Sequence, residues 1–180
     1  ADRLRNCEET GALAAQMALT GGPRPTEVIT PAAIRNAQRV LLAVSGSTNA
    51  VIHMASVAGR IGMTLDLDDF NLLSDETPVL VDLKPVGSGY MEDFHYAGGL
   101  EGVLREIAPQ LETGTRSITS ETLADRLKRP LADPIDRTVI RAAANPISPV
   151  GGLIALRGSL APDGAILKRA AATGALLEHE

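Results

Sequence analysis

The chain has one cysteine, no tryptophan and four other aromatic residues, and each scarcity excludes something. A lone thiol, Cys7, cannot close an internal disulfide, and it cannot by itself hold a structural zinc ion or an iron–sulfur cluster. It reads as a small apolar residue on a helix rather than a reactive thiol. Phe70, Tyr90, Phe94 and Tyr96 all fall in one short window, so burial elsewhere rests on Leu, Val, Ile and Ala. No apolar run approaches the ~20 residues that a bilayer span needs. The opening ADRLRNCEET lacks the charged-then-apolar layout of a secretory signal. With 17 basic and 22 acidic residues the net charge is −5, which leaves no basic surplus for nucleic acid or an anionic membrane. A cytoplasmic protein that binds neither is the expectation. What remains is 180 residues that are 44% hydrophobic and 22% charged, enough to bury the core of one domain or slightly more.

The periodicity predicts helix over 2–19, with Leu4, Cys7, Ala14, Ala15 and Ala18 near one face, broken by Gly21-Gly22-Pro23. Thr30 before Pro31 is a capping hydroxyl followed by a first-turn proline, and Ile34, Ala37, Leu41 and Val44 make a buried stripe that Ser45-Gly46 ends. A further helix starts at Ser47 or Thr48 and stops at Gly62. Asp66 caps a short helix reaching Leu73. PVLVDL, residues 78–83, reads as a strand buried on both faces of a mostly parallel sheet. Gly98-Gly99 introduces a helix over 100–108, and Thr119 or Ser120 caps another over 121–127. Beyond residue 137 the character changes. Thr138–Ile140 and the runs 153–158 and 165–168 read as strands, with Pro162-Asp163-Gly164 as the turn between the last two. The fold class is thus α/β. Residues 1–137 form a helix-rich portion, and residues 138–180 are the first strands of a β unit. A lone strand pair wants further strands, so the chain is expected to be an interior piece of a longer protein.

The sharpest local feature is Gly46-Ser47-Thr48-Asn49, with His53 about one turn further along the same helix. Hydroxyls, an amide and free backbone N–H groups at a helix start suit a carboxylate or phosphate. An ordinary capped helix explains the same residues. Asp66, Asp68 and Asp69 lack the spaced ligands and glycine of a calcium loop, and acidic residues belong in a first helical turn anyway. Glu92, Asp93 and His95 could do acid–base work beside the aromatic window, or simply lie on the surface. No nucleophile elbow, phosphate-binding loop, zinc spacing or dinucleotide fingerprint occurs.

Four strings together are more specific than any of these: GSTNAVIHMASVAGRIG from 46, LDLDDF from 65, PVLVDLKPVGSGYMEDFHYAGGL from 78 and GGLIALRGSLAPDGAILK from 151. In this order they resemble the dihydroxy-acid dehydratase and phosphogluconate dehydratase family. The resemblance implies an α/β N-terminal domain followed by a β-barrel-like C-terminal domain, and removal of water from 2,3-dihydroxy carboxylic acids to give 2-oxo acids. It also implies an iron–sulfur cluster and Mg2+ in a homo-oligomeric enzyme acting on a small hydroxy acid. The family's cluster cysteines and metal-binding carboxylates match no position of this chain, and neither does its serine base. Ser47, Thr48, Asn49 and His53 carry over as residues lining the active-site region. Ser45 stands where the family commonly has a second glycine. Two functions are therefore expected to compete: a segment of a full dehydratase, inactive alone, or a catalytically dead remnant that binds anions or serves assembly.

Overall fold

The computed structural model describes residues 2–171. Helix α1 (Asp2–Thr20) buries none of its residues. A single turn, α2 (Pro25–Val28), leads to α3 (Pro31–Ala43), where Thr30 Oγ1 accepts from the Ala33 amide at 3.2 Å and Pro31 takes the first helical position. Helix α4 (Asn49–Arg60) ends at Gly62, whose φ of +77° is the left-handed stop predicted from its sequence. Helix α5 (Leu67–Glu76) starts where Asp66 Oδ1 accepts from the Asp68 amide at 2.7 Å. The expected helix after Thr119 begins later, as α8 (Leu123–Lys128). Thr122 has the extended backbone a cap needs and accepts from the Asp125 amide at 3.1 Å, whereas Ser120 takes φ +64°.

Between them the chain holds α6 (Met91–Tyr96), α7 (Gly99–Glu106) and a 3-10 turn at Ala108–Gln110. A hairpin, β1 (Leu153–Gly158) and β2 (Ala161–Lys168), precedes a last 3-10 turn. Helix α6 was not anticipated. Its start is marked by Asp93, whose carboxylate reaches back to the Tyr90 amide at 2.7 Å, the reach an acidic residue makes at the third helical position.

The architecture is helix-rich α/β, but the buried parallel sheet expected at 78–83 is not formed among the described residues. Val79, Leu80 and Val81 are buried as anticipated. Their partners are single antiparallel bridges, Val79 to Ser148 and Val81 to Ile140. Those partners cannot run alongside as strands. Ile140 closes a turn whose amide donates to Asp136 O at 2.9 Å, and Ser148 lies between Pro146 and Pro149, which have no N–H to give. Thr138–Ile140 is accordingly a turn and a bridge, not a strand. The only sheet among the described residues is the antiparallel pair β1–β2, so no barrel is present there. The hairpin also reverses earlier than expected. The turn lies at Ser159–Leu160, and Pro162-Asp163-Gly164 forms a bulge opposite Arg157, with Gly164 at φ +107°.

Helix α3 separates two apolar clusters. On one side Ala43 packs with Leu80, Val81, Val103, Leu104, Ile107 and Ile140; on the other Leu41 and Leu42 pack with Val51, Phe70, Leu73, Leu153 and Ala155. The second cluster ties the hairpin to α5. The outer edge of β1 meets no further strand among the described residues, and α5 supplies its hydrogen bonds instead. Asn71 donates to Ala155 O at 2.9 Å and accepts from Ala155 N at 2.7 Å, and Ser74 donates to Leu153 O at 2.6 Å. Two helical side chains thus do for an edge what a neighbouring strand would.

Asn71→Ala leaves the Ala155 N–H and C=O unpaired against the core, and it should lower stability by about 2–3 kcal/mol in thermal or denaturant unfolding. The Ala155 amide should lose hydrogen-exchange protection in the same variant. A second prediction concerns Glu101, which accepts from Arg105 at 2.9 Å and from Arg126. Burial raises its carboxyl pKa, but the two guanidinium groups outweigh this and hold it below the ordinary 4.5. A depressed folded-state pKa stabilises the fold above the unfolded value, and that stability is lost as pH falls through the folded one. Glu101→Gln should therefore lower the unfolding temperature by a few degrees at most at neutral pH, and the difference should close in acid.

Candidate functional site

The turn joining α3 to α4 follows from how α3 ends. Gly46 N donates to Leu41 O at 3.0 Å and Ser45 N to Leu42 O at 3.1 Å, the paired bonds of a left-handed helix stop with Ser45 as the residue at positive φ, +47°. Glycine is the usual occupant of that position, since a Cβ there costs roughly 1–2 kcal/mol. A Cβ on Gly46 would lie 2.5 Å from Leu41 Cδ1, so any side chain there would displace the end of Leu41. Ser45 Oγ is buried with no hydrogen-bond partner among the described residues.

The chain then enters α4 through Ser47, whose Oγ accepts from the Asn49 amide at 3.3 Å. Ala50 N donates to Ser47 O and Val51 N to Thr48 O, at 3.0 and 3.2 Å. The helix start is therefore less open than its sequence suggests. The cap and the tight turn take up the amides from Asn49 onward, and only the Ser47 and Thr48 amides donate to none of the described residues. The Asn49 side chain is exposed and the Thr48 side chain half-buried, and neither bonds to a described residue.

His53 lies on the same helix but looks elsewhere. It borders an apolar groove of about 610 Å³ between α3, α4 and α7, walled by Ile34, Ala37, Val40, Val57 and Leu104. Neither the Ser47–Asn49 turn nor Glu92, Asp93 or His95 lines that groove. Those last three sit exposed on α6, which packs on α7. Asp93 is committed to capping its own helix, and the His95 ring meets Tyr96 edge-on at 5.3 Å. The structure thus keeps Ser47, Thr48 and Asn49 together and sets His53 and the α6 trio apart from them.

A second cleft, of about 530 Å³, opens between α4 and the hairpin, lined by Val51, Ile52, Leu65, Arg157 and Asp163 among others. Its residues carry no signal in the sequence, because the cleft exists only through docking of the hairpin. Among the described residues no three His, Cys, Asp or Glu side chains converge to hold a metal ion, and Cys7 is alone and exposed on α1. An iron–sulfur cluster or a magnesium site does not fit the residues present. No helix among them is long and apolar enough to cross a membrane.

Comparison with known proteins decides the family. Residues 1–126 match the model for the dihydroxy-acid/6-phosphogluconate dehydratase N-terminal region, and residues 138–180 match that for the C-terminal region. The chain belongs to the dihydroxy-acid/6-phosphogluconate dehydratase family. It is 37% identical over 158 residues to a dihydroxy-acid dehydratase of Caldicellulosiruptor bescii, covering 87% of this chain and 28% of that protein. Its identity to the dihydroxy-acid dehydratase of Acetivibrio thermocellus is 35% over 182 residues, covering 100% of this chain and 32% of the relative. An L-arabonate dehydratase of Azospirillum brasilense is 43% identical over 159 residues, covering 86% of this chain and 27% of that protein. The chain spans between about a quarter and a third of the length of the curated relatives it matches.

The turn yields a stability prediction. Ser45→Gly removes both the strained φ and the orphaned hydroxyl, at the expense of greater freedom in the unfolded chain. Net stabilisation of about 1 kcal/mol should appear as a raised unfolding temperature.

Proposed function

We propose that this chain is part of a hydro-lyase that removes water from a 2,3-dihydroxy carboxylic acid to give a 2-oxo acid, and that its Ser47–Thr48–Asn49 turn borders the bound acid. Family membership along the chain carries the first half of the reading. Relatives named for a dihydroxy acid and for L-arabonate both match, so the common chemistry is a vicinal diol beside a carboxylate. The support for the second half is local. The turn presents two unengaged backbone amides, the Thr48 hydroxyl and the Asn49 amide group at the positive end of α4. Such donors can hold a carboxylate or a developing enolate oxygen in place and leave the bond-breaking to other groups. Ser47 serves the turn itself, by capping.

Any iron–sulfur cluster or Mg2+ of the complete enzyme would take its ligands from outside residues 2–171, and the described residues supply no step through either. We further propose that residues 1–137 belong to the α/β domain and that the hairpin opens a larger, barrel-like β domain, in keeping with family matches that end at 126 and resume at 138. Docking of the hairpin on α4 and α5 would then place the turn close to the boundary between domains, where ligand sites commonly lie.

The complete enzyme should convert a branched 2,3-dihydroxy acid or an aldonic acid into a 2-oxo acid, detectable as its hydrazone; turnover of neither would overturn the assignment. Asn49→Ala in that enzyme should lower kcat at least about tenfold, equivalent to ~1.4 kcal/mol of transition-state stabilisation. Because Asn49 is exposed, thermal stability should change by less than about 0.5 kcal/mol. Unchanged turnover would remove the turn from the site.

A further inference from the structure

Gly152 has a role that its sequence does not announce. A Cβ built on it would lie 2.2 Å from Ser45 Oγ, 2.5 Å from Ser45 Cβ and 2.8 Å from Ser45 Cα. No side chain fits at 152 while serine occupies 45. The backbone there has little room to yield. Gly152 N donates to Leu42 O at 3.3 Å, its carbonyl accepts from Arg169 N at 2.9 Å, and the preceding Gly151 N donates to Ser74 O at 2.7 Å. Ser45 is held by its amide, which donates to Leu42 O at 3.1 Å; it is the positive-φ residue of the α3 stop, and its buried hydroxyl has no partner among the described residues. An unsatisfied buried hydroxyl on a strained residue is a double local cost, and it sits two residues before the Ser47 cap.

We propose that Ser45 and Gly152 act as a pair of positioning residues. The backbone entering β1 closes directly on the Ser45 side chain, and this contact fixes the direction in which the following Ser47–Thr48–Asn49 turn presents its donors. Orientation of the turn then depends on how the hairpin is seated, so the β unit sets the geometry of groups borne by the helical unit. This rests on the reading that the turn borders the acid, and the test separates the two.

The experiment is a double-mutant series in the complete enzyme: Gly152→Ala, Ser45→Ala, Ser45→Gly and the two combinations. Gly152→Ala should lower kcat at least about tenfold while KM moves less than about threefold, because misplaced donors weaken the transition state more than the ground state. Ser45→Ala removes only the nearest clashing atom and should restore part of the loss. Ser45→Gly removes Cβ as well and should restore more, short of the whole, because the Cα of residue 45 would still lie 2.8 Å from the added Cβ. A deficit of the same size with and without Ser45→Gly overturns the pairing. If the unfolding temperature shows the graded rescue while kcat stays at the wild-type value throughout, the contact is only structural and the positioning role is overturned; Asn49→Ala judges the turn's place in the site independently. Should Gly152→Ala fail to fold, the two combinations are compared directly. A higher kcat with Ser45→Gly than with Ser45→Ala supports the proposal, and equal values overturn it.

Discussion

The end of helix α3 is the constraint on which most of the structure depends. A helix leaves its last four carbonyls without intrahelical partners, and a buried end must find donors for them. Here Val40 O accepts from Val44 N and Leu41 O from Gly46 N, while Leu42 O takes Ser45 N and Gly152 N and Ala43 O takes Leu80 N. Three of these donors are local and belong to the reversing turn. The other two come from the extended 78–83 segment and from the entry to β1, so one helix end organises both flanking clusters. Ala43 and Leu80 anchor the first cluster, and Leu42 and Leu153 the second, each pair joined through or beside one of these backbone bonds.

The same economy explains how so little regular sheet holds together so much extended chain. Asn36 and Asn71 each use both ends of a side-chain amide on distant backbone. Asn36 donates to Glu112 O at 3.1 Å and accepts from Glu112 N at 2.9 Å, and Asn71 does the same to Ala155 at 2.9 and 2.7 Å. A primary amide matches a peptide group in donor and acceptor, so an asparagine on a helix can stand in for one rung of a ladder. Glu106 works in a related way, accepting from Ala143 N at 2.9 Å while its other oxygen takes Arg137. Irregular segments are thereby fixed by side chains projecting from regular ones, and the backbone groups of Glu112, Ala143 and Ala155 find partners in this way.

What could be read from the sequence was the chemistry that closes within a few residues. Thr30 with Pro31, Asp66 and Gly62 each meet a backbone group within five positions, and each behaves as its type dictates. The family strings were legible for a different reason, since order and spacing need no knowledge of the fold. Side-chain partnership across the chain was not legible. PVLVDL has the apolar density of a central strand, and its burial is as expected, but the identity of its neighbours depends on prolines some 65 residues away. Pro162-Asp163-Gly164 has turn chemistry and does break the strand, yet the reversal goes to Ser159–Leu160 because the register of β2 against Leu153–Leu156 requires it. His53 is near the Ser47 turn in sequence, whereas helical rotation sets it at the border of the groove against α3 and α7.

Ser45 is where local preference and global fold disagree. Every preference at that position favours glycine: the positive φ, the buried environment with no partner for a hydroxyl, and the approach of Gly152. The conflict is absorbed by a second residue rather than relieved, since Gly152 gives up any side chain so that Ser45 can keep its own. Packing that closes on a turn from outside holds it in one orientation, and the approach of the Gly152 backbone to Ser45 does this here. The α3–α4 turn is thus stiffened twice, by the Leu41–Gly46 contact within it and by the β1 backbone pressing on it from outside. Donors carried on Ser47, Thr48 and Asn49 inherit that stiffness, and preorganised donors stabilise developing charge without having to move when it forms.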